Sequence, residues 1–312
     1  MTFSLIQDIK QNVKKVMVGK DSVIELVLTA ILAEGHILLE DLPGSGKTLL
    51  AKSIAKSMGG SFNRIQFTPD LLPSDVTGFQ FYDMKIGEFH YKSGPVMTNV
   101  LLADEINRTI PRTQSSLLES MGEYQVTIDN ETIPLPKPFF VIATQNPIDL
   151  EGTYPLPEAQ LDRFLFKLSM GDMTAEEELQ ILERFQTEDP FTKLSCVTKP
   201  EEIVKMSEAV RNIRISDALK KYLVDIIHAA RSSQLFSVGA STRATIALMR
   251  SSQAFAVVQG REYVIPDDIK YVAPFVLCHR LKLSEKERLT GNRVEDALAA
   301  LLSTIPVPAV SQ

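Results

Sequence analysis

The segment Asp41-Leu42-Pro43-Gly44-Ser45-Gly46-Lys47-Thr48 lies between an apolar run, His36 to Glu40, and a stretch with helical spacing. The order strand, loop, helix predicts a phosphate-binding loop, because two glycines let backbone N–H groups turn inward at a helix N-terminus. In such a loop Lys47 reaches the β and γ phosphates and the Thr48 hydroxyl ligates Mg²⁺. The general pattern has glycine where this chain has Asp41, so an ordinary glycine-containing turn stays open as the alternative.

Four further apolar runs have the length and composition of buried strands: Arg64 to Thr68, Val100 to Asp104, Phe139 to Thr144 and Phe164 to Met170. Helical patterns separate the runs, which favours a parallel sheet of five strands with helices on both faces. Two pairs of short alternating runs, at about residues 79–91 and 124–133, predict β-hairpins that project from this sheet.

After about residue 170 the strand-like runs stop and helical spacing dominates. We therefore expect an α/β domain over residues 1–170, a helix and connector over residues 171–198, and a smaller all-α domain over residues 199–312. Within the helical part, Asp217, Ser241 and Pro266 are expected helix starts.

Composition limits the classes of protein that this chain can be. Its net charge is −6, whereas a protein that mainly wraps nucleic acid is usually basic. The two cysteines, Cys196 and Cys278, are too few for a disulfide framework or a cysteine-rich zinc site. The N-terminal pattern is that of an amphipathic helix, and no apolar run approaches the roughly 18 residues of a membrane span, so we expect a cytoplasmic protein without membrane insertion.

Two adjacent acids end the predicted strand at Val100 to Asp104. Asp104 would hold Mg²⁺, directly or through water, and Glu105 would accept a proton from an attacking water. Acids are also common at solvated strand ends, so this pair is informative mainly because a phosphate-binding loop precedes it.

Two polar residues follow later strands or helices. Asn146, after the next strand, could hydrogen-bond the attacking water or the γ-phosphate, or form a turn before Pro147. Arg163, at the end of a short helix, could act as an arginine finger or cap that helix. The residues alone leave both alternatives open.

Five segments, taken in order, form a dense set of motifs: Leu39 to Thr48, Leu72 to Gly78, Leu102 to Arg108, Ala143 to Pro147 and Glu151 to Phe164. They closely resemble the MoxR family of AAA+ ATPases. The resemblance extends from about Val18 to Leu168, and a weaker resemblance continues at Gly239 to Arg243 and at Gly260 to Ile269. Asp41 is similar to a variant familiar in that family.

The resemblance implies a P-loop AAA+ core, with a parallel five-stranded sheet between helices, followed by a smaller all-α lid domain, and nucleotide between the two. It identifies Asn146 with the sensor 1 residue, Arg243 with the sensor 2 residue that reaches the γ-phosphate, and Arg163 with an arginine finger. The implied catalytic residues are Glu105, Lys47, Asn146, Arg163 and Arg243. The implied ATP-binding residues are Val18, Gly19, Pro43, Gly44, Ser45, Gly46, Lys47, Thr48, Leu49 and Arg243, with Thr48 and Asp104 for Mg²⁺.

The resemblance also implies a function and partners. It suggests a homo-oligomeric ring, with hexamers as the family expectation, and a chaperone-like factor that remodels, assembles or activates protein complexes. Its implied partners are protein clients and a protein with a von Willebrand factor A domain. The two hairpins are similar to inserts of a clade that includes magnesium-chelatase ATPase subunits and MCM helicases.

Two other functions are alternatives. A nucleic-acid motor of the same clade should carry Lys or Arg at the tips of its hairpins, but Asp129-Asn130-Glu131 is acidic and the first hairpin turn has only Lys85. Nucleic acid is therefore the less expected partner. A small-molecule P-loop kinase or a switch GTPase fits less well, because Asp104-Glu105 and the large helical half are typical of a hydrolysing motor.

Overall fold

A computed structural model describes residues 3–42, 44–128, 131–146, 152–186 and 188–308. The first elements in chain order are α1 (Phe3–Lys14), α2 (Asp21–Leu32), β1 (Ile37–Glu40), α3 (Lys47–Ser57), β2 (Phe62–Gln66), α4 (Pro73–Thr77), β3 (Gly78–Asp83), β4 (Glu88–Ser93), β5 (Val100–Asp104), α5 (Pro111–Glu123), β6 (Gln125–Ile128), β7 (Glu131–Pro134), β8 (Phe140–Gln145), α6 (Glu158–Leu161) and β9 (Phe166–Leu168). The later elements are α7 (Ala175–Phe185), α8 (Pro200–Val210), α9 (Asp217–Ser232), β10 (Phe236–Val238), α10 (Thr242–Val258), α11 (Pro266–Leu277), β11 (Lys282–Leu283), α12 (Glu285–Leu289) and α13 (Val294–Thr304).

The five predicted strands form one sheet with the order β2-β5-β8-β1-β9, and every neighbouring pair is parallel. The prediction of a parallel five-stranded sheet is therefore confirmed, although β2 begins and ends two residues before the predicted run. Because all five strands point the same way, their carboxyl ends meet at one edge, where parallel α/β sheets bind their ligands.

Both faces of the sheet are covered, which explains why β1, β5 and β8 are buried at successive positions. On β5, Leu101 points into a core shared with α5, while Leu102 points into a core shared with α2, α3 and the helical half. Helices α1 and α2 contact α10, and α2 also contacts α8. The division that we propose near residue 170 thus falls between elements that share one apolar core.

Both predicted hairpins are present. Strands β3 and β4 pair antiparallel from Gly78↔Ser93 to Asp83↔Glu88, and β6 pairs with β7. The predicted turn of the second hairpin, Asp129-Asn130, lies outside the described residues. Both inserts thus branch from the sheet without joining it.

The helical half begins its helices where the sequence predicts. The Ser241 hydroxyl accepts a hydrogen bond from the backbone N–H of Ala244 and starts α10, and the Asp268 carboxylate accepts one from Ile265 and starts α11. Strands β10 and β11 form a small antiparallel pair that the sequence analysis did not predict, because strands of two or three residues are too short to show a period. Within the described ranges, no helix is long and apolar enough to cross a membrane.

Candidate active site

A cleft of about 380 Å³ opens at the carboxyl edge of the sheet, between the loops that follow β1, β5 and β8. Most residues that were expected to bind ATP or act on it line this cleft, namely Gly44, Gly46, Lys47, Thr48, Leu49, Asp104, Glu105 and Asn146. The fold therefore brings together motifs that lie about 100 residues apart in the sequence.

The phosphate-binding loop has the conformation that its glycines predict. Gly44 and Gly46 have φ angles of 87° and 88°, in the left-handed region that favours glycine. The Lys47 ammonium donates to the carbonyl oxygens of Asp41 (2.9 Å) and Leu42 (3.3 Å), so it lies across the loop that it is expected to serve. The buried Ser45 hydroxyl has no hydrogen-bond partner among the described residues, which suits a loop that binds an oxyanion. Pro43, also expected here, lies outside the described residues.

Asp41 has a structural role that glycine could not fill. One carboxylate oxygen accepts a hydrogen bond from the backbone N–H of Met170 and the other accepts one from the Ser169 hydroxyl, each with a donor–acceptor distance of 2.7 Å. These two bonds tie the start of the phosphate-binding loop to the chain that leaves β9. The departure from the general glycine pattern therefore adds an anchor to the loop.

Asp104 lies between a hydroxyl and a guanidinium. Its Oδ1 accepts from the Thr144 hydroxyl (2.6 Å), and its Oδ2 accepts from Arg64 Nη2 (2.6 Å). The Arg64 cation contacts the carboxylate that was expected to hold Mg²⁺. The sequence analysis missed Arg64, although the alternation on β2 signals it, because Arg64 and Gln66 point away from the buried Ile65.

Glu105 has a φ angle of 55°, an uncommon value for a residue other than glycine. Its Oε2 accepts from Gln66 Nε2 (2.7 Å) and from Arg108 Nη1 (3.0 Å). Its backbone N–H donates to the Thr144 hydroxyl, so a strand on each side of β5 holds this residue. Gln66 is a second residue of the site that the sequence analysis missed.

The chain segment that holds Val18 and Gly19, which were also expected to bind ATP, borders the same loop from another side. The Met17 methyl lies 3.6 Å from where a Cβ at Gly46 would be, and Val18 is buried. Gly19 has a φ angle of 67°, in the left-handed region that favours glycine, and the Glu177 carboxylate of α7 lies against it. Val18, Gly19 and Glu177 line a second, more open cleft.

The side chains present fit Mg²⁺ together with phosphate. Thr48 and Asp104 supply a hydroxyl and a carboxylate to one cleft, and oxygen ligands are those that Mg²⁺ prefers. The part of the chain that the structure describes has no group of three or more His, Cys, Asp and Glu side chains that could hold a metal by itself. This suits an ion bound mainly through substrate oxygens and water.

The two expected arginines lie outside the cleft of their own chain. Arg163 Nη1 donates to the Leu118 carbonyl oxygen (2.8 Å), and its guanidinium packs against Gly122 of α5. Arg243 lies 3.6 Å from Asp162, which also pairs with the buried Arg280 over 2.6 Å. Neither guanidinium lines the cleft that contains Lys47.

Known proteins match most of the chain. Residues 36–166 match the model of the ATPase family associated with various cellular activities (AAA), and residues 228–300 match the AAA lid domain. Chaperone MoxR1 of Mycobacterium tuberculosis is 42% identical over 96% of this chain and 81% of that protein. Protein MoxR of Methylorubrum extorquens is 31% identical over 96% of this chain and 94% of that protein.

Two more relatives agree. The uncharacterized protein YeaC of Bacillus subtilis is 50% identical over 96% of this chain and 93% of that protein. A crystal structure from Cytophaga hutchinsonii superposes with a TM-score of 0.92 at 39% identity, over 98% of this chain and 96% of that one. The fold, the phosphate-binding loop and the relatives together identify the chain as a member of the MoxR family of AAA+ ATPases.

Proposed function

We propose that the chain hydrolyses ATP in the presence of Mg²⁺, within a homo-oligomeric ring, and uses this reaction to remodel, assemble or activate protein complexes. The observation that supports hydrolysis best is the cleft itself, where Lys47, Thr48 and Asp104 meet Glu105 and Asn146. A cleft that only binds nucleotide needs the first three residues; the other two are a proton acceptor and an amide at the site of water attack.

The chain's own residues account for each step. The loop N–H groups and Lys47 bind the β and γ phosphates, and Asn146 orients the attacking water. Glu105 accepts the proton as the water oxygen bonds to the γ-phosphorus, while the bond from that phosphorus to the β–γ bridging oxygen breaks to give ADP and phosphate. Thr48 and Asp104 would hold Mg²⁺, which would supply positive charge to the phosphate oxygens.

The position of Arg163 and Arg243 supports a site that two subunits share. Both lie outside the cleft of their own chain, and both are exposed at its surface. Supplying them to the cleft of the next subunit is a heterologous contact, which closes into a ring at a suitable rotation. AAA+ proteins generally form such rings, and we propose a hexamer.

The first hairpin supports protein clients. Phe81, Tyr82, Met84 and Phe89 are all exposed, and Met84 at the turn is 90% exposed. Exposed apolar patches of this kind are typical of sites that bind proteins. The relative named Chaperone MoxR1 points to the same class, and a partner with a von Willebrand factor A domain follows from the family resemblance.

The nucleic-acid motor remains the alternative, and one set of assays separates the two. Phosphate release is measured for the parent, Glu105→Gln and the control Glu201→Gln, with and without DNA, and nucleotide binding is measured with a fluorescent ATP analogue. We expect Glu105→Gln to bind ATP without hydrolysing it, and Glu201→Gln, on the exposed surface of α8, to match the parent. Hydrolysis by Glu105→Gln at the parental rate contradicts the assignment of the base, and strong salt-sensitive stimulation by DNA contradicts the chaperone function.

A further inference from the structure

Helix α7 carries an apolar stripe that no residue within the described ranges covers. None of its eleven residues, all of which the structure describes, is buried. Leu179, Leu182 and Phe185 are 58%, 69% and 43% exposed, and their spacing places them on one side of the helix. An exposed apolar stripe of this size is typical of a surface that binds another protein.

The opposite side of α7 is held firmly against the nucleotide-binding half. Glu177 packs on Gly19, and Arg184 Nη1 donates to the carbonyl oxygens of Lys14 (2.9 Å) and Lys15 (3.1 Å). The Thr174 hydroxyl accepts from the Glu177 backbone N–H at the start of the helix. Helix α7 is therefore attached to that half by its inner side, and its stripe faces away from the residues described.

Contacts of the phosphate-binding loop locate α7 at the rim of the active site. The segment that ends at Gly19 touches the loop through Met17 and Gly46, and Asp41 holds Ser169 and Met170 just before α7 begins. A neighbouring subunit that approaches the cleft from this side would meet the α7 stripe.

A matching surface lies on α10. Arg243, Ile246 and Arg250 recur at the i, i+3, i+7 spacing of one helix face, and all three are exposed. Helix α10 contains no acidic residue, whereas α7 carries Glu176, Glu178 and Glu183 besides Glu177, which faces Gly19. One face is apolar and acidic, and the other is apolar and basic.

We infer that the α7 stripe, Leu179, Leu182 and Phe185, packs against the Arg243–Ile246–Arg250 face of α10 in a second copy of this chain. The inference rests on the proposed function, because Arg243 must reach the neighbour's cleft. In the copy whose cleft receives Arg243, α7 lies beside that cleft. The α10 face that carries Arg243 would therefore contact the α7 stripe of that copy. A ring contact needs two different complementary surfaces on one chain, and these two faces supply them.

This contact links assembly to nucleotide. One side of α7 touches the Gly19 segment and the other touches the neighbour, so the same helix is part of both contacts. Occupancy of the cleft and docking of the next subunit therefore favour one position of α7.

The first test changes the stripe without touching the cleft. The test uses the Glu105→Gln background, which is expected to bind ATP without hydrolysing it. In analytical ultracentrifugation, Leu182→Glu should raise the protein concentration at which half of the chains are in rings by at least tenfold. The monomer should still bind the fluorescent ATP analogue. Val224→Glu, at an exposed apolar position on α9, is the matched control and should assemble like its parent. Because Leu182 is exposed, the fold should tolerate the change, and the melting temperature verifies this.

The second test asks which surfaces meet. In a background without Cys196 and Cys278, chains with Leu182→Cys are mixed with chains with Ile246→Cys and oxidised in the presence of ATP. We expect covalent dimers in the mixture and none from either chain alone. Rings that form without this crosslink, or a Leu182→Glu chain that assembles like the control, overturn the inference. If the parent neither binds nor hydrolyses ATP, the proposed function itself fails, which these readouts distinguish.

Discussion

Gln66 Nε2 donates to Glu105 Oε2 over 2.7 Å, so a strand that neighbours the catalytic strand holds the expected general base. The same carboxylate is expected to accept a proton from the attacking water, so we expect this hydrogen bond to restrain it.

The first prediction concerns this restraint. Gln66→Ala should raise the basal rate of ATP hydrolysis by roughly fivefold, because one hydrogen bond of about 1 kcal/mol no longer competes with the water. The measurement is steady-state phosphate release by assembled rings. Gln259→Ala breaks a similar bond, from Gln259 to Glu25 (3.1 Å), far from the cleft, and serves as the control. A lower rate for Gln66→Ala would mean that Gln66 orients the base instead of restraining it.

The second prediction concerns Asp41. Asp41→Gly restores the general loop pattern but removes the acceptor for Ser169 and Met170. We expect a loss of about 2 kcal/mol in the free energy of unfolding, the usual scale for bonds to a charged group, and weaker ATP binding. Urea unfolding and analogue binding provide the two measurements. Asp41→Asn keeps one acceptor oxygen, so its free energy of unfolding should lie between those of the parent and Asp41→Gly. An Asp41→Gly variant as stable as the parent would contradict the anchoring role.

The third prediction separates the two roles of Arg163. If a neighbour uses this residue as a finger, Arg163→Ala should lower turnover in assembled rings by about 10³-fold. Mixing Arg163→Ala chains with Lys47→Ala chains should recover part of the activity, since an intact cleft then meets an intact arginine. If the mixture stays inactive although mixed rings form, Arg163 acts only within its own chain, where it donates to Leu118.

The fourth prediction is a dependence of stability on pH. Burial lowers the pKa of His36 to about 4. Its Nδ1 accepts from the Val141 N–H, so Nε2 carries the proton and donates to the Met121 carbonyl oxygen. As the pH falls from about 6.5 to about 4, the unfolded chain binds a proton that the folded chain does not, and the free energy of unfolding falls by up to about 3 kcal/mol. Burial and Arg280 lower the pKa of His279 in the same direction.

The His36 contribution can be isolated by comparing slopes. His36→Asn keeps an acceptor for Val141 but has no proton to bind, so its stability should fall less steeply over this window in urea titrations. His228→Asn, at an exposed histidine, is the control and should keep the parental slope. Equal slopes for all three proteins would contradict a neutral, buried His36.

The sequence predicted the five-stranded sheet and the phosphate-binding loop because both depend on local patterns. The apolar runs indicate strands that are buried on both faces of the sheet, and Gly44 and Gly46 indicate a left-handed backbone conformation in the loop. Arg64 and Gln66 escaped prediction because their roles depend on the neighbour of β2, and strand order is not a local property. The location of Arg243 depends on its ion pair with Asp162, which lies 81 positions earlier in the sequence, so it could not be predicted from a local pattern either.

The pair of bonds at Asp41 has a mechanical consequence. The Asp41 carboxylate joins the phosphate-binding loop to the chain just before α7, and Glu177 in the first turn of α7 contacts Gly19. A displacement of α7 would therefore move the phosphate-binding loop through two contacts. A change in that loop on loss of the γ-phosphate would reach α7 through the same two contacts.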